Sequence, residues 1–210
     1  RKSDVIALLQ GTLDEENQFP WQSVNYLESH DDYTLVDRLL QPDEDDVVQI
    51  TPKAVQQVRL AMALILLSPG IPMISAGQDL MRNKKGNRNT YLRGDLNEID
   101  YSKSEEFAVL TSDLKALIEF RLSDKAFFLR PKSRQEWQYD VMPMGVLNTL
   151  CLRIFEHGGE KSFLLYFNLS EEGIDLRVPQ GYEILLCPEA VSETKKLESL
   201  GYAVAGLKNS

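Results

Sequence analysis

The sequence predicts an α/β arrangement over residues 1–122 followed by an all-β, antiparallel domain over residues 123–210. Three observations carry this. Strand-length apolar runs alternate with helical patterns in the first part. In the second part, two β-rich runs flank the pair Gly158-Gly159, a strong hairpin signal. And 210 residues, 43% hydrophobic and 26% charged, suffice for a core that buries about 70% of the unfolded surface without disulfides. Twelve glycines and nine prolines are no excess, so neither disorder nor low complexity is expected.

In chain order, residues 3–10 read as the end of a helix, with Gly11 as its stop. Phe19 to Leu27 is an apolar, aromatic run suited to a buried strand, and it leads into Glu28-Ser29-His30-Asp31-Asp32. TLVDRLL, residues 34–40, fits one or two helical turns, and Asp43 to Asp46 reads as a solvated acidic loop. Thr51-Pro52 opens the clearest helix, with a capping threonine and proline at the first helical position. That helix runs to Leu67, where Pro69-Gly70 ends it. Its second half, LAMALILL, is apolar all round and needs cover on more than one face. Ile71 to Ala76 has strand length, and the long polar segment from Gly77 to Asp100 has the size of a functional loop. Ser104 to Arg121 is a further helix, with apolar residues near a 3.6 period.

Beyond Leu122 the pattern changes to strands and hairpins. Leu147–Phe155 pairs with Ser162–Leu169, Ile174–Val178 with Tyr182–Leu186 around Pro179-Gln180-Gly181, and Tyr202–Val204 adds a strand. Trp137, Tyr139, Phe155, Phe163, Tyr166 and Phe167 read as core, and Cys151 and Cys187 as buried thiols. Two parallel strand–helix units cannot bury both faces of a sheet, so either the first part is incomplete or another chain completes it.

With 23 basic and 32 acidic residues the formal charge is −9, which argues against nucleic acid or an anionic membrane as partner and favours neutral substrates. The most apolar stretch, Leu60 to Ile74, is too short and too broken by proline and glycine to span a bilayer. No charged-then-apolar leader follows Arg1. A soluble protein is expected, its compartment left open. Polar residues just after the carboxyl ends of strands are where α/β folds place chemistry, and His30-Asp31-Asp32 and Gln78-Asp79 have that position. The plain alternative makes Asp31 or Asp32 the N-cap of the following helix.

Taken together, YLESHDDYTLVDRL, SPGIPMISAGQDLMRNKKGNRNTYLRGDLNEIDY and ALIEFRLSDKAFFL resemble, in order and spacing, the last quarter of an α-amylase-superfamily glycoside hydrolase of the pullulanase and debranching branch. In that family a His-Asp-Asn motif, a Gly-Ile-Pro strand followed by Ala-Gly-Gln-Glu, an Asn-Ser-Tyr segment and an Ile-Asp-Trp recur in register. The resemblance covers residues 20–185 and implies the last two strand–helix units of a (β/α)8 barrel followed by a small antiparallel β-sandwich. It implies retaining hydrolysis of α-1,6 branch links in pullulan, glycogen or starch, and an α-glucan polysaccharide or oligosaccharide as partner; no cofactor and no metal ligand is assigned, and calcium binding is left open.

Carried over by position, Asp31 matches the carboxylate that stabilises the transition state, and His30 contacts the same sugar. Ile71–Ala76 matches the eighth strand, and the loop after it offers Asn89, Tyr91 and Asp95 to substrate. Arg82, Lys84, Lys85, Arg88 and Arg93 read as a solvated basic loop. Asp32 stands where asparagine is usual, Asp79 where glutamate is usual, Ser75 where histidine is common and Tyr101 where tryptophan is common. Nothing matches the family's nucleophile and acid/base. The N-terminal part of the barrel is therefore expected to be missing, and the chain to be inactive alone. The rivals are an α-1,4-glucan hydrolase or transglycosylase of the same superfamily, and a non-catalytic glucan-binding or structural module.

Overall fold

The computed structural model describes residues 2–10, 22–133, 136–156, 158, 160–188 and 196–208. Gly11, the expected helix stop, Phe19 to Trp21 of the first expected strand, and Gly159 of the hairpin signal lie outside them. Helix and sheet are mixed, and the chain divides into two compact units. One comprises Arg1–Val24, Leu66–Ile71 and Leu117–Ser210, the other Asn25–Ile65 and Pro72–Ala116.

Helix α1 (Lys2–Leu9) precedes strand β1 (Val24–Asn25), which pairs with β2 (Ile71–Pro72). The Ile71 amide donates to the Ser23 carbonyl at 2.8 Å and the Met73 amide to the Asn25 carbonyl at 2.9 Å. Donor and acceptor positions rise together, the pattern of a parallel ladder. Both expected strands shrink to two residues among the described ones. Pro72 has no N–H to donate, and the Ser75 amide turns to the Gln78 side chain at 3.3 Å instead of a neighbouring strand.

In the unit built from Asn25–Ile65 and Pro72–Ala116, helix α2 (Leu35–Leu40) begins on a capping box. The Thr34 hydroxyl accepts the Asp37 amide at 3.1 Å while Asp37 accepts the Thr34 amide at 3.2 Å. The cap is thus Thr34, and the alternative that gave this task to Asp31 or Asp32 is set aside. Helix α3 (Pro52–Leu66) starts as expected, the Thr51 hydroxyl accepting the Ala54 amide at 3.1 Å. Ala54, Val58, Leu60, Met62, Ala63 and Ile65 are all buried, which is why an all-round apolar helix is tolerated. A short helix α4 (Gly94–Asn97) lies within the long polar segment. The helix expected from Ser104 starts later, as α5 (Ala108–Leu122), because Asp100 draws the Ser102 amide to 3.1 Å and holds Tyr101–Ser104 in a 3₁₀ turn.

In the other unit, Arg121 at the end of α5 is buried. It donates to the Leu66 carbonyl and, at 2.8 and 2.7 Å, to those of Ser68 and Gly70, so it satisfies the last carbonyl of α3 and two of the segment that follows. Burial pushes its guanidinium down to about 10. The sheet strands are β3 (Trp137–Met142), β4 (Thr149–Glu156), β5 (Ser162–Asn168), β6 (Ile174–Asp175), β7 (Tyr182–Leu186), β8 (Lys196–Leu197) and β9 (Tyr202–Leu207). Five form an antiparallel sheet in the order β3-β4-β5-β9-β7, and β6 pairs with β8.

Every residue of β5 is buried, so this strand is covered on both faces. On one face Leu164 and Tyr166 meet Cys151, Ala203, Ala205 and Leu197. On the other, Phe163 stacks on Phe128 at 4.1 Å and meets Phe127 edge-on at 5.5 Å. Trp137, Phe163, Tyr166 and Phe167 are core as expected, whereas Tyr139 and Phe155 are half-buried. Cys151 is buried and Cys187 partly so, and neither is in a disulfide.

The expected hairpin between residues 174–178 and 182–186 does not form. Ile174 pairs with Leu197, and Tyr182 with Leu207. Packing overrides proximity in sequence: Ile174 and Leu176 enter the core, and β9 offers β7 the small residues Ala205 and Gly206. A side chain at Gly206 would lie 2.8 Å from Leu185. Strand β3, not anticipated, forms the edge beside β4. No helix among the described residues is long and apolar enough to cross a membrane.

Candidate active site

His30 and Asp31 stand at the mouth of a cavity of about 400 Å³, shared with Asn89 and Tyr91. His30 Nε2 and Asp31 Oδ2 are 3.2 Å apart, and their side chains are 91% and 83% exposed. Both side chains are thus open to a ligand entering the cavity.

The turn carrying them is held from below. Asp32 has a positive φ of 64°, a conformation that costs a residue with a Cβ about 1 kcal/mol or more. Its carboxylate accepts the Tyr33 amide at 2.9 Å and Arg38 at 3.1 Å, and Arg88 approaches at 3.3 Å. The Tyr33 amide, with Arg88 and Arg38, holds the Asp32 carboxyl below the usual carboxylate range.

Lys84 is only 1% exposed. Its ammonium donates to the carbonyls of His30 at 2.7 Å and Asp32 at 3.0 Å. Burial, with Arg82 nearby, pushes its pKa below the ordinary lysine value. Asp37, equally buried, accepts the Lys84 amide at 2.9 Å and the Gly86 amide at 3.0 Å in addition to the Thr34 hydroxyl at 2.7 Å. Glu28 is buried beside them. It accepts the Leu35 amide and lies 4.0 Å from Arg82, and burial raises its pKa.

The loop expected to be solvated and basic is therefore only partly so. Lys84 is interior, the Arg82 side chain is 13% exposed, and Arg93 is paired with Asp95 at 2.9 Å and Asp45 at 3.3 Å. Asp45 in turn accepts from Asn87 at 3.2 Å, so the acidic run is not wholly free in solvent.

Among the anticipated residues, His30, Asp31, Asn89 and Tyr91 line one cavity. Asn89 accepts the Tyr91 amide at 3.1 Å, and Tyr91 is 81% exposed. The Thr90 hydroxyl bonds Asn97 at 2.8 Å, pinning the residue between them. Asp95 lines a neighbouring cavity of about 220 Å³, and Arg93 occupies both of its oxygens. Sequence reasoning missed Lys84 and Asp37. The Thr-x-x-Asp spacing of a capping box was a readable signal for Asp37. Nothing local marks Lys84, whose partners lie 52 and 54 residues away. No group of three or more His, Cys, Asp or Glu suited to a metal ion occurs among the described residues.

No protein-family model matches the chain. Over 182 residues it is 30% identical to a pullulanase of Bacillus subtilis strain 168, an alignment that covers 83% of this chain and 24% of that protein. Over that stretch the sequence is pullulanase-like. This pullulanase-like chain is also 30% identical over 178 residues to an isoamylase of a Flavobacterium species, covering 73% of the chain and 22% of the isoamylase. The crystal structure of a pullulanase from Anoxybacillus sp. LM18-11 complexed with maltotriose superposes with a TM-score of 0.78 at 22% identity. The match covers 99% of this chain and 30% of that one, a likeness of fold. The pullulanase-like chain thus spans about a quarter of the length of the curated relatives it matches, 24% and 22%.

Proposed function

We propose that this chain is the C-terminal part of a retaining α-glucan hydrolase that cleaves α-1,6 branch links in pullulan, glycogen or starch. The observation that carries the reading is the exposed His30–Asp31 pair at a cavity it shares with Asn89 and Tyr91. The relatives are a pullulanase and an isoamylase, and the maltotriose bound by the Anoxybacillus pullulanase supports an α-glucan as ligand. In this reading residues 1–122 supply the last two strand–helix units of a (β/α)8 barrel and residues 123–210 an antiparallel β-sandwich. The parallel pairing of β1 and β2 supports the first half of that statement.

Glycoside hydrolysis passes through an oxocarbenium-like transition state, and hydrogen bonds to sugar hydroxyls strengthen as positive charge develops. Asp31 accepts such hydroxyls. His30 Nε2, 3.2 Å from Asp31 Oδ2, orients that carboxylate and leaves the second oxygen to the sugar. Asn89 hydrogen-bonds the sugar in the same cavity, and the exposed ring of Tyr91 stacks on a pyranose face. Asp95 reaches substrate only by exchanging Arg93 for a sugar hydroxyl. The nucleophile and the acid/base come from outside these residues, so the chain alone hydrolyses nothing.

The test is Asp31→Asn in the longer enzyme that carries this sequence, assayed on a branched glucan. Because Asp31 is exposed and caps no helix, its melting temperature should be unchanged while kcat falls by orders of magnitude, each tenfold being about 1.4 kcal/mol of barrier. Near-normal turnover refutes the assignment. Linkage analysis of the products separates α-1,6 from α-1,4 cleavage.

A further inference from the structure

We infer that Lys84 is the positioning residue for Asp31, a role that rests on the function proposed above. The carbonyls of His30 and Asp32 bracket Asp31, and one ammonium holds both, at 2.7 and 3.0 Å. The first belongs to the peptide joining His30 to Asp31 and the second to the peptide one residue further on, between Asp32 and Tyr33, so the backbone is held before and after Asp31 and the direction of its Cα–Cβ bond is restrained. The turn needs this restraint, since Asp32 holds a φ of 64°.

Lysine suits the task chemically. Its ammonium is a compact charge with three donors on a flexible stem, able to reach two carbonyl oxygens from beneath. A buried ammonium is costly unless its hydrogen bonds are made, and here two strong acceptors meet it. Its backbone is anchored as well, the Lys84 amide at 2.9 Å and the Gly86 amide at 3.0 Å both donating to Asp37. Asp37 also holds the first residue of the α2 cap, the Thr34 hydroxyl, at 2.7 Å. A continuous line of hydrogen bonds therefore runs from the start of α2 through Asp37 and Lys84 to the peptides around Asp31. The same loop carries Asn89 and Tyr91, which line the cavity with His30 and Asp31.

The experiment uses the longer enzyme with K84M, K84R, K84Q and D31N, assayed on a branched glucan well below each variant's melting temperature. Misplacing a reacting group by about 1 Å costs roughly a hundredfold in rate, so K84M should lower kcat by about that factor while KM changes less than about threefold. K84R keeps charge and donors and should recover at least about tenfold of the loss, which a general loss of packing would not allow. If K84M does not fold, K84R and K84Q carry the test, and equal kcat in the two overturns the proposal. A K84M enzyme within about threefold of the parent kcat, alongside an inactive D31N, overturns the positioning role alone. Full turnover by D31N overturns the functional reading, and the role of Lys84 falls with it.

Discussion

Asp37 accepts the Gly86 amide at 3.0 Å across 49 residues of sequence. Its second oxygen takes the Lys84 amide and the Thr34 hydroxyl, so a single buried carboxylate ties the cap of α2 to the loop bearing Asn89 and Tyr91. A helix cap is ordinarily a local matter. Here it ties down a distant loop as well.

Replacing Asp37 by asparagine tests that bond set. Both carboxylate oxygens face backbone N–H groups, and an amide would turn its NH2 toward one of them. Leaving a buried donor unmatched costs about 1–3 kcal/mol, and two donors are at risk. We expect urea denaturation of Asp37→Asn to show a loss of about 2 kcal/mol or more; unchanged stability would show that the oxygens are not shared in this way.

Gly86→Ala should be at least as harmful. Gly86 has a φ of +71°, and an added Cβ would meet the carbonyl oxygens of Pro42 and, at 2.8 Å, Asp43. Left-handed strain alone costs roughly 1–2 kcal/mol, and the collision with backbone adds to it. The midpoint of thermal unfolding should drop by several degrees; a shift too small to measure would contradict the close approach.

Arg121→Lys keeps the charge but not the fork. The guanidinium serves the carbonyls of Leu66, Ser68 and Gly70 together, which an ammonium at a different reach cannot reproduce. With each abandoned buried acceptor costing about 1–3 kcal/mol, a loss of about 2 kcal/mol or more is expected in denaturant titrations. Parent-like stability would mean that water replaces the arginine without penalty.

Burial pushes the Cys151 thiol up to about 12, against about 8.5 for an unfolded cysteine. The folded state therefore keeps a proton that the unfolded state releases. Stability from this source is complete below about pH 8.5 and declines as pH rises toward 12, by at most about 1.4 kcal/mol per pH unit. Cys151→Ala should flatten the stability profile above pH 8.5 relative to the parent. Parallel profiles for the two proteins would exclude the effect. Native Cys151 should also resist alkylation until the protein is unfolded.

Features written in neighbouring residues were readable before the structure. Thr51-Pro52 marks the start of α3, the 34–40 segment marks α2, and the β-rich runs on either side of Gly158 mark the antiparallel pair β4 and β5. Motif resemblance drew attention to His30, Asp31, Asn89 and Tyr91, which share a cavity, and to Asp95, which lies in the next one. What escaped was non-local. The pairing of Ile174 with Leu197 follows from competition for one core, not from the turn at Pro179 to Gly181. The burial of Lys84 follows from two carbonyls supplied by another part of the chain. A lysine in a polar loop looks solvated until its acceptors are known.

The path of the chain through its two units bears on recombination between homologues. Each unit is assembled from separate stretches, with Leu66–Ile71 belonging to the same unit as Leu117–Ser210. A chimaera made with one crossover, wherever it falls between residues 25 and 116, would join half of one parent's unit to half of another's. Exchanging Asn25–Ile65 together with Pro72–Ala116, while leaving the six-residue stretch Leu66–Ile71 with the parent that supplies Arg121, keeps each set of internal contacts within one lineage. Gene shuffling of such enzymes should therefore recover folded progeny more often from paired crossovers at these borders than from single ones.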